Sequence, residues 1–453
     1  MFKINWVIIA MAILLTATFL GCGGGLNPNE EETIGNDGPA VTTSFTGSSI
    51  CSACHTAIYN TVVNSGHFYK LNKVINDQIP MYPFSDLTGA LERITDEDSV
   101  TDNSLGTPSS YADISYVIGG YGWKARWIDK DGYIITGSQV QYNLENQTMA
   151  AYHDGEADKP YNCGNCHTTG WRHYDATLNN NRQDDLPGMA GTFIEPGIRC
   201  ESCHGAGLQH ALTGDKSFIT RVASARRTSD FLADDLAFDR AVACSECHTR
   251  DGEKDYPTYV SAAENAGFSD GGANEGGRIA ASNELIRHHE QYDEFLGLNP
   301  DNIAANGTGV HYIQGLTCIS CHDPHSTVKY QAISGDSPGI KTDCEICHTN
   351  VTFSPGLHGS LLVAPNGCVD CHMPKMVKSA VTTDGAIGAS VFGDIRTHIF
   401  KIDLSKDPDT QQFTADGKYA YPWITKKFVC GQCHADPDAK ITSLVVNYNG
   451  RIN

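Results

Sequence analysis

The chain has 453 residues, with 32 Lys and Arg against 53 Asp and Glu, which gives a formal net charge of −21. A surface this acidic repels phosphate backbones, so nucleic acid is excluded as a partner. Only 40% of the residues are hydrophobic, whereas 45 are glycine and 18 are proline. We therefore expect something other than apolar side chains to fill much of the interior.

The N-terminus reads as an export signal. Lys3 precedes a mostly apolar run at 6–20, which is too short for a membrane span and typical of a secretory signal. The segment resembles a bacterial lipoprotein signal, which implies that residues 1–21 are removed and that Cys22 is lipidated. The resemblance also implies, through Gly23, an outer-membrane location. The alternative is a plain signal peptide with a bystander cysteine.

The next segment has too little apolar periodicity to fold. Residues 23–50 are rich in Gly, Asn, Glu, Ser and Thr, so we predict that 22–50 forms a lipidated flexible tether. Together, the lipid and the tether would hold an exported body at the outer membrane, on its periplasmic face or at the cell surface.

Sixteen of the 17 cysteines fall in eight copies of Cys-x-x-Cys-His, where chance predicts about 0.03 copies. This is the signature of covalent c-type haem: two thiols form thioethers with one porphyrin, and the histidine ligates its iron. We therefore predict eight haem c groups. The predicted thioether cysteines are Cys51, Cys54, Cys163, Cys166, Cys200, Cys203, Cys244, Cys247, Cys318, Cys321, Cys344, Cys347, Cys368, Cys371, Cys430 and Cys433. The predicted proximal iron ligands are His55, His167, His204, His248, His322, His348, His372 and His434.

Zinc sites and disulfides explain the motifs less well. Zinc would need paired Cys-x-x-Cys units and gives no reason for a histidine after every one. Disulfides would suit an exported protein but leave the eight histidines equally unexplained.

Five segments carry a resemblance to the bacterial multihaem c-type cytochromes of the cytochrome c-552/4 family. They are CSACHTAIYNTVVNSGH at 51–67, YNCGNCHTTGW at 161–171, IRCESCHGAG at 198–207, LTCISCHDPH at 316–325 and CVDCHMPK at 368–375. A more distant likeness is to octahaem hydroxylamine oxidoreductases and tetrathionate reductases. The resemblance implies electron transfer through stacked haems and names no substrate.

Ten histidines lie outside the motifs, enough for a second axial ligand on each of eight irons with two to spare. They are His67, His153, His173, His210, His288, His289, His311, His325, His358 and His398. His67 and His398 also resemble distal ligands of the family.

Two histidine pairs leave the choice of ligand open. His173 and His210 share the spacing Cys-His-x-x-Gly-x-x-His and are predicted to be equivalent, but His153 competes with His173. His288 and His289 lie in a stretch at 278–295 that we predict to be a helix, and only one of them is expected to ligate.

Residues 114–137 predict a β-hairpin, because alternating residues flank the turn signal Asp-Lys-Asp-Gly. Two interpretations of its side chains are open. Trp123 and Trp127 could pack on a haem while Lys124 and Arg126 pair with propionates, or the hairpin could be an ordinary half-buried one.

The predicted fold is a multihaem cytochrome of mainly short α-helices and irregular loops wrapped around stacked haems, with a small β-hairpin and few regular strands. Residues 251–277 are rich in Gly, Asn and acids and predict a linker or surface loop. It would separate tetrahaem halves at 51–250 and 278–453. Because haem replaces the apolar core, we expect the haem-free chain to show no cooperative melting.

The first functional hypothesis is an electron carrier in anaerobic respiration or extracellular electron transfer, because two histidines on every iron leave no substrate position. Its partners would be redox proteins or extracellular acceptors. One alternative is an octahaem oxidoreductase acting on nitrogen or sulfur oxyanions, which a body this acidic collects poorly without a local basic channel. The other alternative is a subunit of a cytochrome filament or outer-membrane conduit.

Overall fold

The computed structural model describes residues 44–94, 106–178, 182–222, 241, 243–249, 278–302, 308–349, 367–384, 391–407 and 410–434. The predicted signal, Cys22, most of the tether and the linker at 251–277 lie outside these residues. None of the described helices is both long and apolar enough to cross a bilayer.

Short elements dominate, as the sequence predicts. The α-helices of the described residues are α1 Ser48–Cys54, α2 Thr56–Val62, α3 Gly164–His167, α4 Cys200–His204, α5 Leu208–Thr213, α6 Cys244–Cys247, α7 Gln291–Leu296, α8 Cys318–Cys321, α9 Cys344–Cys347, α10 Cys368–His372 and α11 Lys426–Cys430. The strands are β1 Leu71–Lys73, β2 Ile114–Gly119, β3 Lys124–Asp129, β4 Tyr133–Ile134, β5 Gly137–Asn143, β6 Thr148–Tyr152, β7 Lys159–Pro160, β8 Thr168–Thr169, β9 Arg172–His173, β10 Gly191–Thr192, β11 Glu195–Pro196, β12 Ile279–Ser282, β13 Leu285–Arg287, β14 Val377–Lys378, β15 Thr383–Asp384, β16 Val391–Phe392 and β17 Tyr419–Ala420.

The predicted hairpin is confirmed, and it belongs to a seven-stranded antiparallel sheet. β3 and β4 pair across the Asp-Lys-Asp-Gly turn with Ile128 opposite Ile134, and β2 pairs with β3. The sheet runs β1-β2-β3-β4-β7, and β5 joins β3 to β6.

Apolar side chains cover both faces of this sheet. Val117 and Trp127 pack into one cluster and Tyr116 and Ile128 into another, all of them at 0% exposure. A further apolar cluster lies around Ile286 in the second half. The expectation that side chains would not form a core is therefore wrong for these regions, because the apolar residues are concentrated in the strands rather than spread along the chain.

The predicted helix at 278–295 is also wrong. Its first part is the hairpin β12–β13, with Ala281 opposite Ile286, and only α7 is helical. Asn283 and Glu284 adopt φ values of 51° and 59°, which form the tight turn that twisted strands favour. Both strands are buried, and that hides the alternation by which a half-exposed hairpin is recognised.

The end of the predicted tether is fixed on the body. The Glu201 carboxylate accepts hydrogen bonds from the backbone N–H groups of Thr46 and Gly47 at 2.9 and 2.8 Å. Ser48, which begins α1, donates to Glu195 at 2.9 Å. Two carboxylates, those of Glu195 and Glu201, therefore hold the chain on the body at residues 46–48, whereas the tether at 22–50 stays a prediction.

Candidate haem sites

Each Cys-x-x-Cys-His motif forms a short helical turn or the end of one. Residues three apart on a helix share a face, so the two thiols of a motif lie on the same side. In the first motif α1 ends at Cys54, and His55 follows where the helix breaks. Two thiols and one imidazole thus reach the same space, as attachment of one porphyrin requires.

Five motif histidines face a second histidine ring from elsewhere in the chain, with ring centroids 6.0 or 6.1 Å apart. Two imidazoles bound at about 2 Å to opposite sides of one metal ion have centroids roughly 6 Å apart. The spacing therefore fits an iron between the two rings. The pairs are His55 with His210, His204 with His325, His248 with His289, His322 with His398, and His348 with His311.

The motif histidine His248 has two neighbours of this kind. Besides His289, the ring of His67 lies 6.3 Å from it, nearly perpendicular at 87°. Burial lowers the pKa of His67 to about 3 and the pKa of His289 well below its usual value. Burial likewise lowers the pKa of His398 to about 3. These rings are held neutral, which is the form that binds a metal ion.

Several rings are oriented through Nδ1. Nδ1 of His204 donates to the Thr220 carbonyl at 2.5 Å. Nδ1 of His210 lies 3.0 Å from the Asp215 carbonyl and donates to it when this nitrogen is protonated. Such contacts fix the tautomer and the ring plane and leave Nε2 as the ligand atom.

Three of the candidate distal histidines have other neighbours. His153 pairs with Glu156 at 2.5 Å, and its side chain is 38% exposed. Nε2 of His173 lies 3.0 Å from the Asn165 amide nitrogen, and His288 packs against His289 at 4.6 Å. His358 lies outside the described residues.

The predicted equivalence of His173 and His210 is wrong. His210 lies on α5 and faces His55, whereas His173 lies in β9 and pairs with Gly191 of β10. Gly170 and Gly207 follow their motifs at the same spacing, but the chain then continues as a strand in one case and as a helix in the other.

Motifs far apart in the chain contact one another through their cysteines. Sγ of Cys166 lies 3.9 Å from the Glu246 carbonyl, and Sγ of Cys247 lies 3.8 Å from that of Asn165, which joins the second motif to the fourth. Further thiol contacts pair the first motif with the third, the fourth with the fifth and the sixth with the seventh, through Cys51 and Cys200, Cys244 and Cys318, and Cys344 and Cys368. These contacts therefore join the motifs into three groups: the first with the third, the second with the fourth and fifth, and the sixth with the seventh.

The second motif differs from the five paired ones. Among the described residues, no histidine ring lies at axial distance from His167. Burial, together with the positive charges of Lys70, Arg126 and Lys124, lowers the pKa of His167 to about 3. The charges of three cations thus act on the second motif, and that of Lys70 also acts on His248 of the fourth.

The hairpin side chains contact other protein groups, and the hairpin is buried on both faces rather than half-buried. Trp127 is fully buried and donates toward the Tyr111 hydroxyl at 3.4 Å. Lys124 donates to the Ser379 carbonyl, and Arg126 donates to Gln141 at 2.9 Å. Pairing of these cations with haem propionates stays a prediction.

Sequence reasoning missed a group of buried carboxylates beside the fourth motif. Glu246, Glu290, Asp293 and Glu294 are all 0–1% exposed. Burial raises the pKa of Glu294 to about 7, and this side chain accepts hydrogen bonds from Thr397 at 2.6 Å and from the backbone of His398. Nothing in the sequence separates these acids from the many surface carboxylates.

The residues present fit haem better than a metal held by side chains alone. Within the described ranges, no three His, Cys, Asp or Glu side chains converge on one metal position. Paired imidazoles beside a Cys-x-x-Cys turn leave the other four iron positions to a porphyrin.

Comparison with known proteins agrees with this chemistry. Residues 135–205, which include the second and third motifs, match the family described as cytochrome c554 and c-prime. The dissimilatory sulfite reductase MccA of Wolinella succinogenes is 28% identical over 127 residues, which cover 23% of this chain and 17% of that relative. The chain therefore aligns with less than a fifth of the relative's length. Motifs and family match together identify a multihaem c-type cytochrome.

Three solved structures match the chain at low identity, each with a TM-score below 0.5. The octahaem sulfite reductase MccA of Wolinella succinogenes has a TM-score of 0.49 at 16% identity, over 90% of this chain and 68% of that one. The outer cell wall cytochrome OcwA gives 0.45 at 18% identity, over 90% and 87% of the two chains. The undecahaem cytochrome from the S-layer of Carboxydothermus ferrireducens gives 0.42 at 18%, over 89% and 60%.

Proposed function

We propose that this multihaem c-type cytochrome carries electrons along eight covalently bound haem groups, most of them held between two histidines. The observation that supports this function is the set of five histidine pairs with ring centroids 6.0 or 6.1 Å apart. An imidazole on each side of an iron leaves no room for a substrate, so these sites suit electron transfer.

The haem iron would supply a one-electron couple whose potential follows its axial ligands, burial and nearby charge. The chain supplies the ligands and the route. Contacts between motifs, such as those of Cys166 and Cys247, keep neighbouring sites close enough for electrons to pass.

Two motifs offer places where electrons could enter or leave. Between the two cysteines of the motif, Ala53 in the first motif and Glu345 and Ile346 in the sixth are exposed, whereas Ser245 and Glu246 in the fourth are buried. A redox partner protein or an extracellular acceptor can approach an exposed motif closely, whereas the buried fourth motif serves only internal transfer.

Voltammetry of the adsorbed holoprotein tests this function. The carrier predicts reversible signals from haem oxidation and reduction, with electrons passing to a soluble ferric chelate. It also predicts no catalytic current when sulfite or nitrite is added. A catalytic current with either anion would contradict a pure carrier.

A second candidate function, reduction or oxidation of a small nitrogen or sulfur oxyanion, is favoured by the second motif. Among the described residues, His167 has no opposing histidine ring, and the positive charges of three cations lower its pKa. Burial lowers the pKa of Lys70, and of the three cations Lys70 has the largest effect on the pKa of His167. Such a cluster is the local basic site that an acidic protein needs to attract an anion.

Lys70→Gln separates the two candidates, and Lys73→Gln is its matched control. Lys73 is 47% exposed and pairs with Asp184 at 2.8 Å. If the second motif binds anions, sulfite changes the high-spin absorption of the wild type, and Lys70→Gln alone weakens this binding about tenfold or more. Equal sulfite binding by all three proteins would exclude a role for these cations.

Lipid anchoring through Cys22 completes the proposed function by holding the carrier at the outer membrane. Cys22→Ala is expected to move the protein from the membrane fraction to the soluble fraction, because a diacylated terminus supplies the membrane affinity. Cell fractionation with haem staining measures this directly. Unchanged membrane association of the variant would show that another feature anchors the chain.

A further inference from the structure

Phe400 has a backbone conformation that bulky residues seldom adopt. Its φ is 61°, in the left-handed region, and the Lys401 N–H donates to the Ile399 carbonyl at 2.7 Å across it. The three residues form a tight γ-turn, a conformation that costs free energy when the central residue is not glycine. A strained backbone of this kind persists only where contacts with the surrounding structure stabilise it.

The turn directs the Phe400 carbonyl at a motif histidine. Nδ1 of His372, in the seventh motif, lies 3.1 Å from this oxygen and donates to it when protonated there. A carbonyl acceptor on Nδ1 selects the tautomer whose Nε2 binds iron and raises the basicity of that ligand.

The Phe400 ring contacts two further histidines. Its centroid lies 4.4 Å from that of His311 at 84°, and 6.0 Å from that of His398 at 85°. Both contacts are edge-to-face, the arrangement that aromatic quadrupoles favour. A ring packed in this way restricts rotation of the imidazole that it touches.

These three histidines serve three different motifs. His311 faces His348 of the sixth motif at 6.1 Å, and His398 faces His322 of the fifth at 6.0 Å. One residue thus reaches an axial imidazole at the fifth, sixth and seventh motifs in turn.

We propose that Phe400 is a positioning residue that sets the planes of the axial imidazoles on three consecutive haems. The inference rests on the proposed haem ligation. It adds one residue that fixes the orientation of the axial imidazoles at neighbouring sites. The two imidazole planes of the sixth site meet at 78°, whereas those of His204 and His325 in the third site meet at 4°. Near-perpendicular and parallel axial imidazoles give different low-spin electron paramagnetic resonance signals, so the third site is an internal reference.

Phe400→Gly tests the ring alone, because glycine keeps the carbonyl and adopts the turn without strain. We expect the variant to lose part of the highly anisotropic low-spin signal, which comes from near-perpendicular imidazoles. The reduction potential of at least one haem should also shift. The rhombic signal, which comes from parallel imidazoles, should stay unchanged. Phe400→Leu, which keeps an apolar side chain of similar bulk, should show the same spectral change if the glycine variant loses haem.

Phe413→Leu is the control, since Phe413 contacts the ring of Phe428 at 6.1 Å in the same half. Spectra of both Phe400 variants that match the wild type, or an equal change in Phe413→Leu, would overturn the proposal. Failure of the haem ligation itself would be distinct, because the wild type would then lack low-spin signals.

Discussion

The axial ligands decide which irons only transfer electrons and which could also bind a substrate. The sequence predicts the candidate ligands but not how they pair. The motif histidines and all five of their facing partners are among the predicted candidates, because stoichiometry alone requires distal ligands. The pairing could not be predicted, since His204 and His325 meet only through the tertiary fold. His153 was a candidate by spacing, yet its positive φ of 44° places it beside Glu156.

Replacing His325 by Ala tests one pair directly. The thioethers and His204 would keep the haem attached, so the haem number should stay the same while one low-spin signal is replaced by a high-spin one. His153→Ala is the matched control and should leave the spectrum unchanged. Added imidazole should restore the low-spin signal in His325→Ala, and an unchanged spectrum in this variant would rule out the assignment.

Glu294 gives a prediction for the dependence of stability on pH. Burial raises its pKa from 4.5 to about 7, so the folded protein binds this proton more tightly than the unfolded chain does. Its contribution to stability is therefore complete below about pH 4 and is lost as the pH rises through 7, by roughly 3 kcal/mol at most.

Glu294→Gln should remove much of that dependence, so that its Tm changes less between about pH 5 and pH 8 than that of the wild type. Thermal unfolding of the holoprotein at several pH values measures the difference. Glu92→Gln removes a carboxylate from an exposed position and should behave as the wild type does. A parallel shift of the Glu294→Gln curve at every pH would refute the titration of this group.

At the scale of secondary-structure elements, turn residues are the most informative signal in this sequence and hydrophobic periodicity is the least informative. The Asp-Lys-Asp-Gly turn located the β3–β4 hairpin correctly. The stretch at 278–295 failed because Asn283-Glu284 is a weak turn signal and the buried strands β12 and β13 show no alternation. The apolar clusters around the sheet were missed because composition averages over strands and loops.

Packing of α3 gives a sharp test at this scale. Gly164 begins α3 inside the second motif, and a Cβ there would overlap the ring of Trp171. Gly164→Ala should therefore lower the free energy of unfolding by about 1–3 kcal/mol, as overpacking does. Gly122→Ala is the control, since a Cβ at Gly122 meets no atom within 4 Å. Equal Tm values for the two variants would contradict this packing.

At the scale of the whole molecule, hydrogen bonds join the predicted halves at 51–250 and 278–453. Tyr121 donates to Thr327 at 2.7 Å, Asn64 donates to Asp336 at 2.8 Å, and the Tyr330 hydroxyl donates to the Tyr121 carbonyl at 2.9 Å. The four-plus-four division stays a prediction about the chain, but the first half needs His325 and His289 of the second half to complete two of its histidine pairs.

The central claim is that eight haems are attached and that most are held between paired imidazoles. Intact mass of the purified protein combined with electron paramagnetic resonance of its oxidised form tests both parts together. The account predicts a mass increase of eight haem groups and a spectrum dominated by low-spin iron from both parallel and perpendicular imidazole pairs. Fewer attached haems, or a spectrum dominated by high-spin iron, would contradict it.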